Sequence, residues 1–205
     1  MIEAVIFDID GTLLDSEDAN VASYRRIFEK AGYSVPSREA IIPLLHLTKH
    51  DTIGALASGM PTEKIEALRE FARGVAYPVE LLRVFPYSQE AVVSLSEKYK
   101  LGLASNRLKK SIDTYFVVSG LENYFPAVVG ADDVTNPKPS PEPLLKATEM
   151  LKVLPANAVY VGDTHVDLQA ARAAGMKVVL HRSDPPGADG YFSSYLELEQ
   201  LIEKL

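Results

Sequence analysis

Residues 4–16 read AVIFDIDGTLLDS, and this stretch decides the fold. Its first four residues form an unbroken apolar run, which Asp8, Asp10 and Gly11 end abruptly. A short apolar run bounded by turn-forming residues is typical of a strand that is buried on both faces, as in a parallel sheet. The stretch therefore predicts a buried first strand with two carboxylates just beyond its carboxyl end.

The same pattern recurs along the chain, and amphipathic segments separate the apolar runs. Strands that alternate with helices predict an α/β fold, here a three-layer, Rossmann-like parallel sheet with right-handed crossovers. Four further runs are predicted as strands, at 101–104, 127–129, 158–161 and 178–180, and four segments as helices, at 87–99, 108–118, 143–151 and 165–174.

This alternation lapses between the first strand and residue 84, where no buried strand is indicated. Amphipathic segments predict three helices there instead, at 21–31 (closed by Gly32), 41–47, and 62–75 with Thr62 as its N-cap. We interpret residues 16–83 as a small α-helical domain, inserted after the first strand of a core formed by residues 1–15 and 84–205.

Composition excludes several classes of protein. The 205 residues include 21 basic and 28 acidic side chains, for a net charge of −7, which argues against nucleic acid and anionic membrane surfaces as partners. The absence of cysteine excludes disulfides, thiolate nucleophiles and Cys-ligated zinc. No apolar run approaches the ~20 residues of a membrane span, and the first residues do not resemble a secretory signal. The expected location is the cytoplasm, and a monomer and a homodimer both remain open.

Polar side chains cluster where predicted strands end. Ligands of open parallel sheets bind beyond the carboxyl ends of the strands. Carboxylates there suit a divalent cation that prefers oxygen ligands, and an ammonium with hydrogen-bond donors suits an anion, so a phosphoryl group fits the set best. The residues concerned are Asp8 and Asp10 after the first strand, Ser105 and Asn106 after the second, Asp163 and Asp167 after the fourth, and Lys138 between two prolines.

Four segments, taken in chain order, resemble the four motifs of the haloacid dehalogenase-like hydrolases. The resemblance extends from residue 2 to about residue 182. The position of the inserted helical segment is similar to that of the cap in the phosphoglycolate phosphatase and β-phosphoglucomutase branch. The matching segments are residues 8–16 (DIDGTLLDS), Ser105-Asn106, residues 138–142 (KPSPE) and residues 162–167 (GDTHVD).

The resemblance implies a role for each carboxylate. Asp8 would be the nucleophile that forms an aspartyl-phosphate, and Asp10 would be the general acid and base. The implied cofactor is Mg²⁺, held by Asp8, Asp163 and the backbone carbonyl of Asp10. Asp167 would hold a metal-bound water or orient Lys138.

The remaining motif residues are implied to hold the phosphoryl group. Lys138 would neutralise the nucleophile and the transferring oxygens, and Ser105 would donate a hydrogen bond. Asn106 and Arg107, in the same loop, are expected to contact the substrate, and peptide N–H groups around Gly11 would add donors.

The acid at position 10 implies phosphate-ester hydrolysis or phosphomutase chemistry. Residues 17–20 lack the histidine that the mutases usually carry there, and Arg107 resembles the lysine of the Thr-Asn-Lys segment of phosphoglycolate phosphatases. Both features favour a Mg²⁺-dependent phosphatase for a small phosphorylated metabolite, phosphoglycolate-like in the first instance. A sugar phosphomutase is one alternative, and a non-catalytic regulatory protein on the same fold is another.

Residues 46–51 (HLTKHD) form the most polar cluster of the inserted segment. Relatives often have a Gly-x-Ser-basic-x-acidic loop there, so Lys49 matches the basic position and would contact a carboxylate or second phosphate of the substrate. His46 replaces the usual glycine. A solvated helix end is the alternative for His46, Lys49 and His50, and His165 lies beyond the fixed motif positions.

Overall fold

A computed structural model describes residues 1–183 and 186–205. The chain divides into two compact units, a core unit of residues 1–15 and 83–205 and a helical unit of residues 16–82. In this described part of the chain, none of the helices has the length and apolar character needed to cross a membrane.

The helical unit is built around its own apolar cluster. The stripe predicted on residues 21–31 is the buried face of its first helix, and Ile27, Ile41, Ile53 and Leu68 are almost fully buried together. Its helices are α1 (Glu17–Lys30), α2 (Arg38–Ile41), α3 (Lys49–Leu56) and α4 (Thr62–Arg73).

The helix predicted at 41–47 does not exist as such. α2 ends at Ile41 and a 3₁₀ turn covers Ile42–Leu44. Pro43 lies in that turn and has no N–H group, so it cannot extend the α-helical hydrogen-bond ladder.

Two helix starts also differ from the prediction. Thr62 is the first residue of α4 rather than its N-cap, because the Pro61 carbonyl already accepts a hydrogen bond from Ile65 N (3.2 Å). Residues 46–51 are not all loop, because the Thr48 side chain accepts a hydrogen bond from Asp51 N and α3 begins at Lys49.

The core unit contains a six-stranded parallel sheet, which confirms the predicted fold class. The strands of the described residues are β1 (Ala4–Phe7), β2 (Leu14–Asp15), β3 (Arg83–Val84), β4 (Lys100–Ala104), β5 (Ala127–Val129), β6 (Ala158–Gly162), β7 (Lys177–His181) and β8 (Gly190–Phe192). The sheet order is β5-β4-β1-β6-β7-β8. The five predicted strands are confirmed, whereas β8 was not predicted because Gly190 and the exposed Tyr191 give no apolar run.

Strand β1 lies in the middle of this sheet, and all four of its residues are fully buried. Phe7 pairs with Leu103 of β4 on one side and with Val161 of β6 on the other. The carboxyl ends of these three strands are therefore adjacent, so the segments that follow them meet at one edge of the sheet.

Helices cover both faces of the sheet. On one face, Ala4 and Ile6 belong to an apolar cluster with Leu144 and Ala170. On the other face, the Phe7 ring packs edge-on against the Phe125 ring, with 6.2 Å between the ring centroids. The helices of the core unit are α5 (Ser88–Ser96), α6 (Lys109–Ser119), α7 (Glu142–Leu151), α8 (His165–Ala173) and α9 (Leu198–Glu203).

A separate two-stranded sheet marks the place where the chain leaves the core unit and returns to it. β2 and β3 pair antiparallel, with Leu14 opposite Val84 and Asp15 opposite Arg83. Residues 16–82 are thus inserted between Asp15 and Arg83, which pair with each other across this small sheet.

Candidate active site

Three carboxylates meet at the carboxyl edge of the sheet. Asp8 directly follows β1, Asp163 directly follows β6, and Asp167 lies in the first turn of α8. One oxygen from each lies within 4.8 Å of the others. Such a group of oxygen donors suits a hard divalent cation.

The Lys138 ammonium is buried beside this carboxylate cluster. Its Nζ lies 2.7 Å from Asp167 Oδ1, 2.9 Å from Asp8 Oδ1 and 2.8 Å from the Tyr160 hydroxyl. Burial disfavours the charged form of Lys138, but Asp167 and Asp8 outweigh this effect and raise its pKa above the ordinary value. The lysine is therefore a cation that is fixed beside Asp8.

Asp8 has the local environment of a reactive carboxylate. Burial raises its pKa to about 6, although Lys138 opposes that shift. The contact from Lys138 to Asp8 Oδ1 has the distance of an ion pair but not the angle of a hydrogen bond, so within the described residues this buried oxygen accepts none. An orphaned buried oxygen beside two further carboxylates fits a metal ligand.

Asp163 and Asp167 differ in how far neighbouring groups offset their negative charge. Burial, together with the charges of Asp167 and Asp8, raises the pKa of Asp163 well above its ordinary value. Burial alone would raise the pKa of Asp167 too, but the Lys138 ammonium holds it below the ordinary value. Asp163 is thus the carboxylate whose charge most needs a cation.

Asp167 is held by donors on both oxygens. Oδ1 pairs with Lys138, and Oδ2 accepts hydrogen bonds from Thr164 N (3.0 Å), Thr164 Oγ1 (2.7 Å) and Asp163 N (3.2 Å). Thr164 and Asp167 form a capping box at the start of α8. The contacts favour the role of orienting Lys138 over that of a direct metal ligand.

Tyr160 is a residue of the site that the sequence analysis missed. Its hydroxyl accepts a hydrogen bond from Lys138 and donates one to Ala104 O at 2.8 Å. The available signal was a tyrosine inside an otherwise aliphatic strand, because a buried phenol needs a partner. Tyr160 links Lys138 to the end of β4.

Gly11 provides the space that Asp163 occupies. It has φ +74°, and a Cβ at this position would lie 2.0 Å from Asp163 Oδ2. The neighbouring Thr12 hydroxyl donates a hydrogen bond to Asp163 Oδ1 at 3.3 Å. The turn after β1 therefore positions the carboxylate of Asp163, which follows a different strand, β6.

Substituting Gly11 by alanine is expected to displace Asp163 and lower kcat/KM by about 10²-fold or more. Turnover and the thermal shift on adding a divalent cation measure the two effects. The matched control is Gly120→Ala, which has a similar φ (+69°) but nothing within 4 Å of the added Cβ, so it carries the backbone strain alone. Equal activity losses in the two variants would contradict the steric argument.

The backbone of the turn that follows β1 is held by hydrogen bonds from two residues late in the chain. His181, at the end of β7, makes a 2.9 Å hydrogen bond between its Nδ1 and Gly11 O, and the Tyr195 hydroxyl donates to Thr12 O. Burial lowers the pKa of His181, which favours the neutral imidazole that donates to this carbonyl. Neither residue was identified from sequence.

The loop after β4 presents the second motif. Ser105 is buried, and its Oγ accepts a hydrogen bond from Arg107 N at 3.3 Å. The Asn106 amide donates to Lys138 O at 3.1 Å and accepts from Lys138 N at 3.0 Å, so it fastens the loop that carries the lysine. A contact between Asn106 and substrate stays a prediction.

Asp10 forms a bidentate ion pair with Arg107. Arg107 Nε lies 2.5 Å from Asp10 Oδ2, and its Nη2 lies 2.6 Å from Asp10 Oδ1. Sequence analysis placed both residues at the site, but it did not predict that they would contact each other.

The polar cluster of residues 46–51, which was predicted to include a substrate contact, lies in the helical unit. The Lys49 Nζ donates to Ala72 O at 3.0 Å, and burial lowers its pKa. His50 is exposed in the first turn of α3, and His165 is exposed at the first position of α8. A substrate contact by Lys49 stays a prediction.

Comparisons with known proteins agree with this arrangement. The family model for haloacid dehalogenase-like hydrolases matches residues 5–181. Pyrophosphatase PpaX of Bacillus mycoides is 31% identical over 179 residues, which cover 87% of this chain and 82% of that protein.

Two solved structures extend the comparison. A subfamily IA hydrolase of the same superfamily from Geobacter sulfurreducens is 34% identical, with a TM-score of 0.77 and coverage of 98% of this chain and 96% of the other. A predicted phosphoglycolate phosphatase from Haemophilus somnus shares the fold at a TM-score of 0.87, with 18% identity and 98% coverage of each chain. With the family model matching most of the chain, and with the carboxylates and Lys138 gathered at the sheet edge, the protein belongs to the haloacid dehalogenase-like hydrolase family.

Proposed function

We propose that the protein is a Mg²⁺-dependent phosphatase that hydrolyses a small phosphorylated metabolite through an aspartyl-phosphate on Asp8. The observation that carries the proposal is the buried Asp8 carboxylate, which has Lys138 Nζ 2.9 Å from an oxygen that accepts no hydrogen bond from any described residue. A nucleophile needs an unblocked lone pair, and the adjacent fixed cation favours the ionised form.

The first half-reaction transfers the phosphoryl group to the protein. An Asp8 oxygen attacks phosphorus, the bond from phosphorus to the ester oxygen breaks, and Asp10 gives its proton to the departing oxygen. Lys138 lies beside the attacking carboxylate, where it would neutralise the transferring oxygens, and the Ser105 hydroxyl would donate a further hydrogen bond.

The second half-reaction restores the protein. Asp10, now ionised, takes a proton from water, and the water oxygen attacks the phosphorus of the acyl phosphate. The bond between phosphorus and Asp8 breaks, inorganic phosphate leaves, and both carboxyl groups return to their starting states.

The residues present fit a bound Mg²⁺. Asp8, Asp163 and the backbone carbonyl of Asp10 would hold the ion, and Asp167 would orient Lys138. When bound, Mg²⁺ supplies positive charge that stabilises the phosphoryl oxygens in the transition state. Its charge would also relieve the repulsion that raises the pKa of Asp163.

The substrate class is proposed from the site and from the relatives. A phosphoglycolate-like monoester is the first candidate, in line with Arg107 in the second-motif loop. Pyrophosphate is a second candidate, because a relative with 31% identity is named a pyrophosphatase.

Release of inorganic phosphate from phosphoglycolate, pyrophosphate and an aryl phosphate tests the proposal. We expect turnover with Mg²⁺ and none with excess chelator. β-Glucose 1-phosphate with a bisphosphate primer separates a mutase, which would form glucose 6-phosphate, from a phosphatase, which would release phosphate. Turnover that persists undiminished in chelator would overturn the proposed chemistry.

Replacing Asp163 by asparagine should abolish the response to the metal. The raised pKa of Asp163 means that the folded protein keeps a proton that the unfolded chain has released, so its contribution to stability falls as pH rises above 3.8. In chelator at pH 7.5, Asp163→Asn is therefore expected to melt higher than wild type by about 3–6 °C.

Mg²⁺ at about 100 times its Kd should then stabilise wild type by roughly 2–3 kcal/mol and leave the variant unchanged. Differential scanning calorimetry measures both effects. Asp113→Asn, an exposed substitution on α6, is the control and should respond as wild type does. A full metal response in Asp163→Asn would remove Asp163 from the metal site.

A further inference from the structure

The bidentate pair between Asp10 and Arg107 is not used by the catalytic steps above. The side chain of Arg107 is 10% exposed and that of Asp10 is 24% exposed, so the pair is largely withdrawn from solvent. Both oxygens of Asp10 face guanidinium nitrogens, at 2.5 and 2.6 Å. In this arrangement Asp10 offers neither oxygen to a leaving group.

The backbone of Arg107 is fixed by contacts that are separate from its ion pair with Asp10. Its N–H donates to Ser105 Oγ and its carbonyl accepts a hydrogen bond from Ala131 N at 2.7 Å. Its Nη1 donates a hydrogen bond to Ser111 O at 3.4 Å. None of these contacts uses Nε or Nη2, the two nitrogens that pair with Asp10, so a change of partner does not itself require the loop to move.

A guanidinium fork binds carboxylates and phosphates in the same planar, bidentate manner. Asp10 is the carboxylate that must reach the leaving oxygen, so its partner lies beside the leaving group. An anion attached to that group would offer Arg107 a replacement for Asp10. A neutral leaving group would not, and opening the pair would then leave two charges uncompensated.

We propose that Arg107 is the specificity-determining residue for substrates whose leaving group carries its own carboxylate or phosphate. It transfers its bidentate contact from Asp10 to that anion, and the freed Asp10 carboxylate takes up a proton from solvent, which it then gives to the leaving oxygen. The inference rests on the proposed phosphatase function and adds the class of substrate to it.

Matched substrates test the proposal. Phosphoglycolate and ethyl phosphate share an alkoxide leaving group and differ in the carboxylate, whereas in pyrophosphate the leaving group is itself a second phosphate. Arg107→Gln is expected to lower kcat/KM for phosphoglycolate or pyrophosphate about 10²-fold, and to raise rather than lower kcat/KM for ethyl phosphate, because Asp10 is then no longer held by the guanidinium. Lys110→Gln, an exposed substitution of equal charge change on α6, is the control.

The two anionic substrates distinguish the source of the anion. If Arg107→Gln loses kcat/KM only with phosphoglycolate, the anion that Arg107 binds is a carboxylate. If it loses kcat/KM only with pyrophosphate, that anion is a second phosphate. Equal losses for charged and uncharged substrates would overturn the proposal, as would no loss for either. If wild type hydrolyses none of the substrates, the proposed function itself has failed instead.

A binding measurement gives a readout that does not depend on turnover. In an Asp8→Asn background, calorimetry is expected to show that Arg107→Gln weakens phosphoglycolate binding at least about tenfold and leaves ethyl phosphate binding unchanged. A general structural defect would weaken both ligands alike, and that result would contradict a specific role.

Discussion

Asp8→Asn is expected to lower phosphate release at least ~10⁴-fold, because the amide cannot act as the nucleophile that forms the acyl phosphate. The fold should survive the change. Asparagine has the same shape as aspartate, and burial already raises the pKa of Asp8 to about 6, so its charge does not favour the folded state. In chelator the variant is expected to melt at or above the wild-type temperature.

Rapid-quench experiments with ³²P-labelled substrate measure the intermediate directly. Wild type should form an alkali-labile phosphoprotein, and Asp8→Asn should form none. Asp113→Asn provides the control for loss of one carboxylate without loss of the nucleophile. Full activity in Asp8→Asn, with unchanged labelling, would show that another residue is the nucleophile.

Lys138→Met is expected to damage stability and activity together. The ammonium is buried between Asp8 and Asp167, at 2.9 and 2.7 Å, and its removal leaves both carboxylates without their cation. Removing one partner of a buried pair costs about 3–5 kcal/mol, which corresponds to roughly 6–20 °C in Tm for a chain of this size. The loss of charge stabilisation should lower kcat by about 10²–10³-fold.

A second substitution separates the two effects. Lys138→Met combined with Asp167→Asn removes one of the stranded charges, so it should recover part of the lost Tm but none of the lost kcat. Lys110→Met, on the exposed face of α6, should leave both quantities near wild type. Calorimetry and phosphate release measure them. Recovery of kcat in the double variant would show that Lys138 acts only on folding.

The sequence was sufficient to predict the core sheet because its strands are buried on both faces. The runs at Ala4–Phe7 and Ala158–Gly162 are apolar without interruption, and such runs differ clearly from amphipathic helices. Once the strands were ordered, Asp8 and Asp163 had to follow them at the same edge. β8 was missed because Gly190 and the exposed Tyr191 give no apolar run.

The contacts made by side chains were much less predictable. Nothing in the spacing of Asp10 and Arg107 along the chain shows that a guanidinium meets that carboxylate, since the pair depends on rotamers and on the path of two loops. Tyr160 was hidden for a related reason, because a tyrosine in a buried strand looks like any other large core residue until its hydroxyl partner is known. Residue types predicted the chemistry of the site, and packing determined which groups meet.

The pairing of β2 with β3 has a consequence for how this architecture can diversify. Because Asp15 and Arg83 are opposite each other across a two-stranded ladder, residues 16–82 close a loop whose ends the core unit already holds together. The entropy of closing a flexible loop grows only logarithmically, by about 0.6 kcal/mol for each doubling of its length. The core unit can therefore accept an insert of very different size at this position at little thermodynamic cost.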